Sequence, residues 1–321
     1  MPREGMSAEV LLDGPRGRRL CLEVERALNG NPEADGELTD TVVLQALRTS
    51  VSRAMYWQEP DPEDMLAGEP EQRASLMRAA RMIAESPLAA WWASSTDRQD
   101  QWLVTFEGAP GAPAPAHSPQ AGSGPGARRT LDVWRAAVEG DETRWRGYAP
   151  GPVAMSGPWW SVPPRALLRT TRSFGRLGPL GVHLVEDAFD WRHADVCRVA
   201  IAEDARVLDI AGATEWADLC RRYPLDVTAS RENDWSRATG RSGRWLVPDW
   251  VRVAGDYDGV HLTVGGYLSA AGRAIEVVDD WAGVIAGWAP DETVWLRDGV
   301  AVASGDTERW TGGVNEEWWK G

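Results

Sequence analysis

The feature that most constrains this fold is a low-complexity stretch, Glu107 to Arg128, that separates two differently patterned parts of the chain. Its Gly-Ala-Pro-Gly-Ala-Pro-Ala-Pro-Ala and Ser-Pro-Gln-Ala-Gly-Ser-Gly-Pro-Gly runs hold too little apolar side chain to offset the entropy of ordering them. The stretch reads as a flexible linker or a long disordered loop. Before it, apolar residues recur at helical spacing. Leu20, Leu22, Val24 and Leu28 mark a helix over 16–30 that stops at Asn29-Gly30. Thr39-Asp40 caps a second helix, Thr41 to Trp57, and Glu69 to Ala84 makes a third. A short helix near 88–92 and a strand, 101–106, complete this part.

After the stretch comes a helix, Thr130 to Arg146, and then the period changes. Short β segments are predicted at 166–173, 181–186, 195–201, 206–210, 259–268, 274–277, 283–286, 293–296 and 300–303. Helices interrupt them from Thr214 to Tyr223 and, opened by Pro248, up to Asp256. The expected class is α+β. A mostly helical N-terminal domain, 1–106, is followed by the 107–128 linker. An α+β domain, 129–321, then has a mixed or antiparallel split sheet and short helices.

Composition narrows the function classes. The chain has 321 residues, 43% hydrophobic and 26% charged, enough apolar material for a real core. A net charge of −14 argues against broad binding to phosphate backbones. The densest basic run, Arg221 to Arg244, reads as a solvated loop face. Three widely spaced cysteines, Cys21, Cys197 and Cys220, suit neither a disulfide framework nor a zinc site. They are expected as reduced core residues of a cytoplasmic protein. The chain start has no apolar signal core, and no run approaches membrane-spanning length. Nineteen tryptophans stand beside only 3 phenylalanines and 5 tyrosines, so tryptophan is expected to fill the core in their place. The pairs Trp159-Trp160 and Trp318-Trp319 are the expected exceptions, because neighbouring side chains point in different directions.

Arg169 sits in the middle of the 166–173 β segment, where a charge must face solvent, a partner or a ligand. Leu168-Arg169-Thr170-Thr171 is followed by Gly181-Val-His-Leu-Val-Glu-Asp-Ala-Phe-Asp-Trp191 and Ala205-Arg-Val-Leu-Asp-Ile210. Then come Tyr257-Asp258-Gly259-Val260 and Ala289-Pro-Asp-Glu292. In this order, over 166–297, they resemble the ADP-ribosyltransferase-like (ART-like) toxin fold. The family's Ser-Thr-Ser has only Tyr267-Leu-Ser269-Ala-Ala in its place, and Glu-x-Glu is absent.

The resemblance implies NAD as cofactor and transfer of ADP-ribose to a protein, nucleic-acid or small-molecule acceptor. Cleavage of the nicotinamide–ribose bond passes through an oxocarbenium-like state, as in glycoside hydrolysis, and a carboxylate near the ribose stabilises it. Glu292 takes that role, with Asp291 second and Glu276 third. Arg169 matches the pyrophosphate bidentately. Thr170, Thr171 and Ser173 hold its surroundings, and Ser269 occupies the serine-motif position. His183 or His261 bonds the ribose, and Tyr257 or Tyr267 stacks on nicotinamide. Plainer readings stand beside these. Arg169 can pair with a neighbouring carboxylate, Glu292 can be a turn residue, both histidines can face solvent, and Tyr257-Asp258-Gly259 can be a turn. A different class of function is a non-catalytic, tryptophan-rich module that binds a protein or glycan. No Walker loop, strand-linked G-x-G-x-x-G or G-x-S-x-G is present, and four histidines argue against transition-metal chemistry.

Overall fold

A computed structural model describes residues 6–30, 38–108, 126–147, 158–186, 191–313 and 316–321. Caps set the first helices. The Ser7 hydroxyl accepts from Val10 N at the start of α1 (Ala8–Asp13), which leads into α2 (Pro15–Gly30). Thr39 caps α3 (Asp40–Ser52), Asp61 caps α4 (Pro62–Gly68), and proline opens α5 (Pro70–Glu85). α3 ends before the expected Trp57. α1 and α4, of 6 and 7 residues, are too short to display a period and were not anticipated. α4 matters because it carries Asp64 inward to the buried Arg16 and Arg19.

β1 (Trp102–Phe106) and α6 (Ala127–Trp145) flank the low-complexity stretch, whose residues 109–125 lie outside the described ones. There follow β2 (Arg169–Thr170), α7 (Leu180–His183), β3 (His193–Ile201), β4 (Val207–Ile210), α8 (Ala213–Arg222) and β5 (Pro224–Asp226). Next are α9 (Thr228–Thr239), β6 (Arg244–Pro248), α10 (Trp250–Asp256), β7 (Gly259–Leu262) and α11 (Val264–Ala270). The chain closes with β8 (Ile275–Val278), β9 (Trp281–Gly283), β10 (Thr293–Trp295), β11 (Ala301–Gly313) and β12 (Glu316–Lys320). The fold is α+β. Among the described residues three small sheets run β1-β3-β11-β12, β2-β10-β7-β4 and β5-β6-β9-β8, the last two mixed through the parallel pairs β4–β7 and β6–β9.

Local chemistry explains the departures from the sequence reading. The expected strand 259–268 breaks at Thr263, whose hydroxyl accepts from Gly266 N and starts α11. The run from Val260 to Leu268 is apolar enough for either structure, so the cap decides. The expected strand 181–186 starts instead with the short helix α7. Pro248 ends β6, and Asp249 caps α10 by accepting from Arg252 N. The basic run is no loop face. It includes α9, and Arg231 within it is 2% exposed.

Residues from both sides of the low-complexity stretch share the core. β1 pairs antiparallel with β3 from Trp102↔Arg198 to Phe106↔Ala194. Leu11, Leu20 and Leu47 belong to one apolar cluster with Val260, Trp288 and Val294. The corner between α1 and α2 lies directly on α11, where a Cβ on Gly14 would stand 2.2 Å from Leu268 O. Glycine is required there by close approach of two backbones. Tryptophan fills the core as expected, with Trp92, Trp216, Trp235, Trp245, Trp250, Trp288 and Trp295 fully buried. The three cysteines are free and buried. Among the described residues, no helix is long and apolar enough to cross a membrane.

Candidate functional site

The sheet β2-β10-β7-β4 brings the charged residues together. Thr170, Thr293, His261 and Asp209 are direct cross-strand partners in one row, and Arg169, Val294, Val260 and Leu208 form the next. Adjacent rows point to opposite faces. Arg169 therefore shares its face with apolar core residues, and His261 and Asp209 point the other way.

On the first face, Arg169 Nη1 donates to Glu292 Oε2 at 2.5 Å, and Nη2 donates to Pro163 O at 2.7 Å. The two side chains are 19% and 15% exposed, so the pair is largely but not fully withdrawn from solvent. Burial pulls the Arg169 pKa down, Glu292 pulls it up, and the nearby Arg165 charge lowers it again, leaving it below the ordinary value. Arg165 lies over the Trp160 ring, 6.0 Å from its centroid. Arg169 Nε is buried without a hydrogen-bond partner among the described residues. Among the described residues the cluster thus brings together the Arg169 and Arg165 guanidinium groups and the Glu292 carboxylate.

The other expected site residues sit elsewhere in the hydrogen-bond network. Thr170 is buried, donates to Gln101 Oε1 at 2.5 Å and accepts from Trp295 Nε1 at 2.9 Å. Thr171 Oγ1 accepts from Gly181 N, and Ser173 Oγ donates to Asp100 Oδ2 at 2.5 Å. Ser269 is buried and donates back along α11 to Gly265 O. Tyr267 is fully buried, and burial, followed by the Glu186 charge, raises its hydroxyl pKa. Tyr257 is half-buried and accepts from Arg222 Nη1 at 3.4 Å. Glu276 is exposed and bonds Arg241. Arg169 and Glu292 are joined directly, and so are His261 and Asp291 on the opposite face. Neither of two surface cavities, about 630 Å³ between α6 and α9 and about 360 Å³ between α8 and the start of β8, is lined by Arg169 or Glu292.

Both histidines, read as candidate ribose ligands or else as surface residues, are buried, His183 at 8% and His261 at 1%. His183 Nε2 bonds Leu177 O at 2.8 Å, and burial, partly opposed by that bond, lowers its pKa to about 4. An unfolded histidine takes up a proton near pH 6.5, so His183 stabilises the fold fully above that pH. That stability is lost as pH falls toward about 4. The shift corresponds to about 3 kcal/mol. Urea unfolding from pH 7 to pH 4.5 should therefore be steeper in pH for the wild-type chain than for His183→Gln. Parallel profiles would sink this account.

On the opposite face, His261 Nδ1 lies 3.0 Å from Asp209 Oδ1 and Nε2 lies 3.3 Å from Asp291 Oδ1. Asp291 also accepts from Arg172 N at 2.9 Å and Arg172 Nε at 2.7 Å. Sequence reading missed Asp209 and Arg172. For Asp209 the signal was available, since it is a charge inside an apolar β segment, whereas Arg172 lies among Thr170, Thr171 and Ser173. No protein-family model, curated protein or solved structure matches this chain.

Proposed function

We propose that this chain is an NAD-binding, ADP-ribosyltransferase-like protein centred on Arg169 and Glu292, which transfers ADP-ribose to a protein or small-molecule acceptor. The observation that carries the reading is the meeting of these two side chains, 123 residues apart in sequence, in a partly exposed ion pair. In the free chain the guanidinium neutralises the carboxylate. A dinucleotide pyrophosphate offers Arg169 a competing bidentate partner, with Arg165 as a second cation beside it. Glu292, released from the pair, then stabilises positive charge developing on the ribose as nicotinamide leaves. Ser173 and Tyr257, both half-buried, are the further cofactor contacts in this reading.

Purified chain with NAD and no acceptor should release nicotinamide slowly. Glu292→Gln should cut that rate on the order of 100-fold, as loss of one transition-state charge contact does. Arg169→Lys keeps the charge but not the fork, and should weaken NAD binding roughly 10-fold. Absence of heat on titration with millimolar NAD would overturn the proposal. A second reading, a non-catalytic binding surface for a protein or glycan, is favoured by Trp319, which is 51% exposed on β12. Oligosaccharide binding measured by calorimetry, and lost in Trp319→Ala, would mark that surface.

A further inference from the structure

Asp291 adopts φ +62°, a left-handed conformation that non-glycine residues enter only when their surroundings hold them there. It is 1% exposed and anchored at several points. Its N–H donates to Leu262 O at 2.8 Å, and its carboxylate accepts from Arg172 and faces His261. Arg172 is itself fixed by Ser94 Oγ at 3.0 Å, Ser95 O at 2.9 Å and the Trp91 ring, 4.6 Å from its centroid. His261 continues the row to Asp209 on β4. Arg172, Asp291, His261 and Asp209 thereby tie the segment after β2, the turn before β10, β7 and β4 to one another.

The protonation state follows from the geometry. A neutral imidazole has one N–H and one lone pair. With a carboxylate oxygen near each ring nitrogen, the neutral form would aim a lone pair at an anion. Among the described residues the row has one arginine and two aspartates, and a doubly protonated imidazole matches their charges.

We propose that His261 is held as an imidazolium between Asp209 and Asp291, and that this row positions Glu292 by fixing the left-handed turn at Asp291 from which Glu292 departs toward Arg169. The importance of Glu292 rests on the function proposed above, whereas the ionisation and anchoring of His261 do not. Burial pulls the His261 pKa down, but hydrogen bonds to Asp209 and Asp291, and then their charges, outweigh it and raise it. The titratable groups facing the imidazole are Asp209 from β4 and Asp291 from the turn, with Arg172 behind Asp291. A histidine with a raised folded pKa contributes stability that is complete below about pH 6.5. That contribution is lost as pH rises through the folded value.

The test is nitrogen-detected NMR of the full chain with labelled histidine, combined with carboxyl shifts of labelled glutamate. At pH 7 both His261 nitrogens should be protonated, and they should lose the proton only at higher pH. One bare nitrogen at pH 7 would overturn the ionisation. Asp209→Asn should move the His261 titration to lower pH, and this variant serves if His261→Gln fails to fold. The unfolding midpoint of wild type should fall between pH 6 and pH 9 more than that of His261→Gln. The Glu292 carboxyl shift should move toward an unpaired value in wild type above the His261 titration and in Asp209→Asn at lower pH. A Glu292 shift indifferent to His261 protonation would overturn the positioning role even if NAD is consumed. A coupled shift in a chain that leaves NAD intact would keep the positioning role and remove the ADP-ribosyltransferase reading.

Discussion

Asp64→Asn should lower the free energy of unfolding by about 3–5 kcal/mol, the usual cost of removing one partner from a buried ion pair. Arg16 and Asp64 form that pair with side chains only 5% and 3% exposed. Arg16 Nη1 also donates to Ser50 O at 2.8 Å, which fixes the guanidinium in the interior. Burial pulls its pKa down, yet the Asp64 charge and further polar contacts raise it above the ordinary value, and Arg16 stays charged. Asparagine keeps the volume of Asp64 but leaves that charge against a neutral amide. Arg19, 4% exposed, loses a contact with Asp64 too, but keeps Glu23 at 2.7 Å, Asp61 at 3.1 Å and Glu63 at 2.6 Å. Replacing both members of the buried pair, Arg16→Met with Asp64→Leu, should cost much less than Asp64→Asn alone. Urea unfolding of the single and double variants measures this. A loss below about 1 kcal/mol for Asp64→Asn would mean that Arg16 finds another anionic partner.

The consequence extends beyond the helices. α2, which carries Arg16, packs against α11 through the glycines at its start, and α11 follows directly from β7 and His261. The helical layer thus packs on the helix that directly follows the strand holding the charged row.

Legibility in the sequence varied with the physics involved. Arg169 was recognisable because a charge inside a β segment needs a partner, and Glu292 supplies one. The strand around Arg169 was overestimated. The backbone N–H of Arg172 goes to Asp291 and that of Ser173 goes to Asp100, so side chains replace the expected ladder. For His261, alternation with Val260 and Leu262 identified the right face but not its burial. β7 lies between β10 and β4, and the Ser94–Gln101 segment meets its sheet from the His261 side through Thr96–Thr293 and Gln101–Thr170. One strand's pattern reports which residues share a face. It does not report what a distant segment lays over that face.

Tryptophan gives the clearest contrast between core and surface. Trp250→Ala should cost about 3–5 kcal/mol, because a large cavity opens where the surroundings cannot collapse. Trp250 is fully buried, its ring centroid 6.3 Å from that of Trp216 and 5.9 Å from that of Trp288. Its Nε1 donates to Ser161 O at 3.1 Å, so truncation also removes a donor from a buried carbonyl. Trp250→Phe keeps most of the apolar area and should lose only about 1–3 kcal/mol. Trp319, 51% exposed, should change stability by less than about 0.5 kcal/mol when cut to alanine. Its neighbour Trp318 is 8% exposed and joins Phe106 and Trp310 in a small core under β12. Equal losses at positions 250 and 319, measured by denaturant unfolding, would place Trp319 in the packed interior and remove the argument for an aromatic binding surface. Unequal losses leave Trp319 as an indole held out to solvent by a buried partner, which is the arrangement a stacking contact requires.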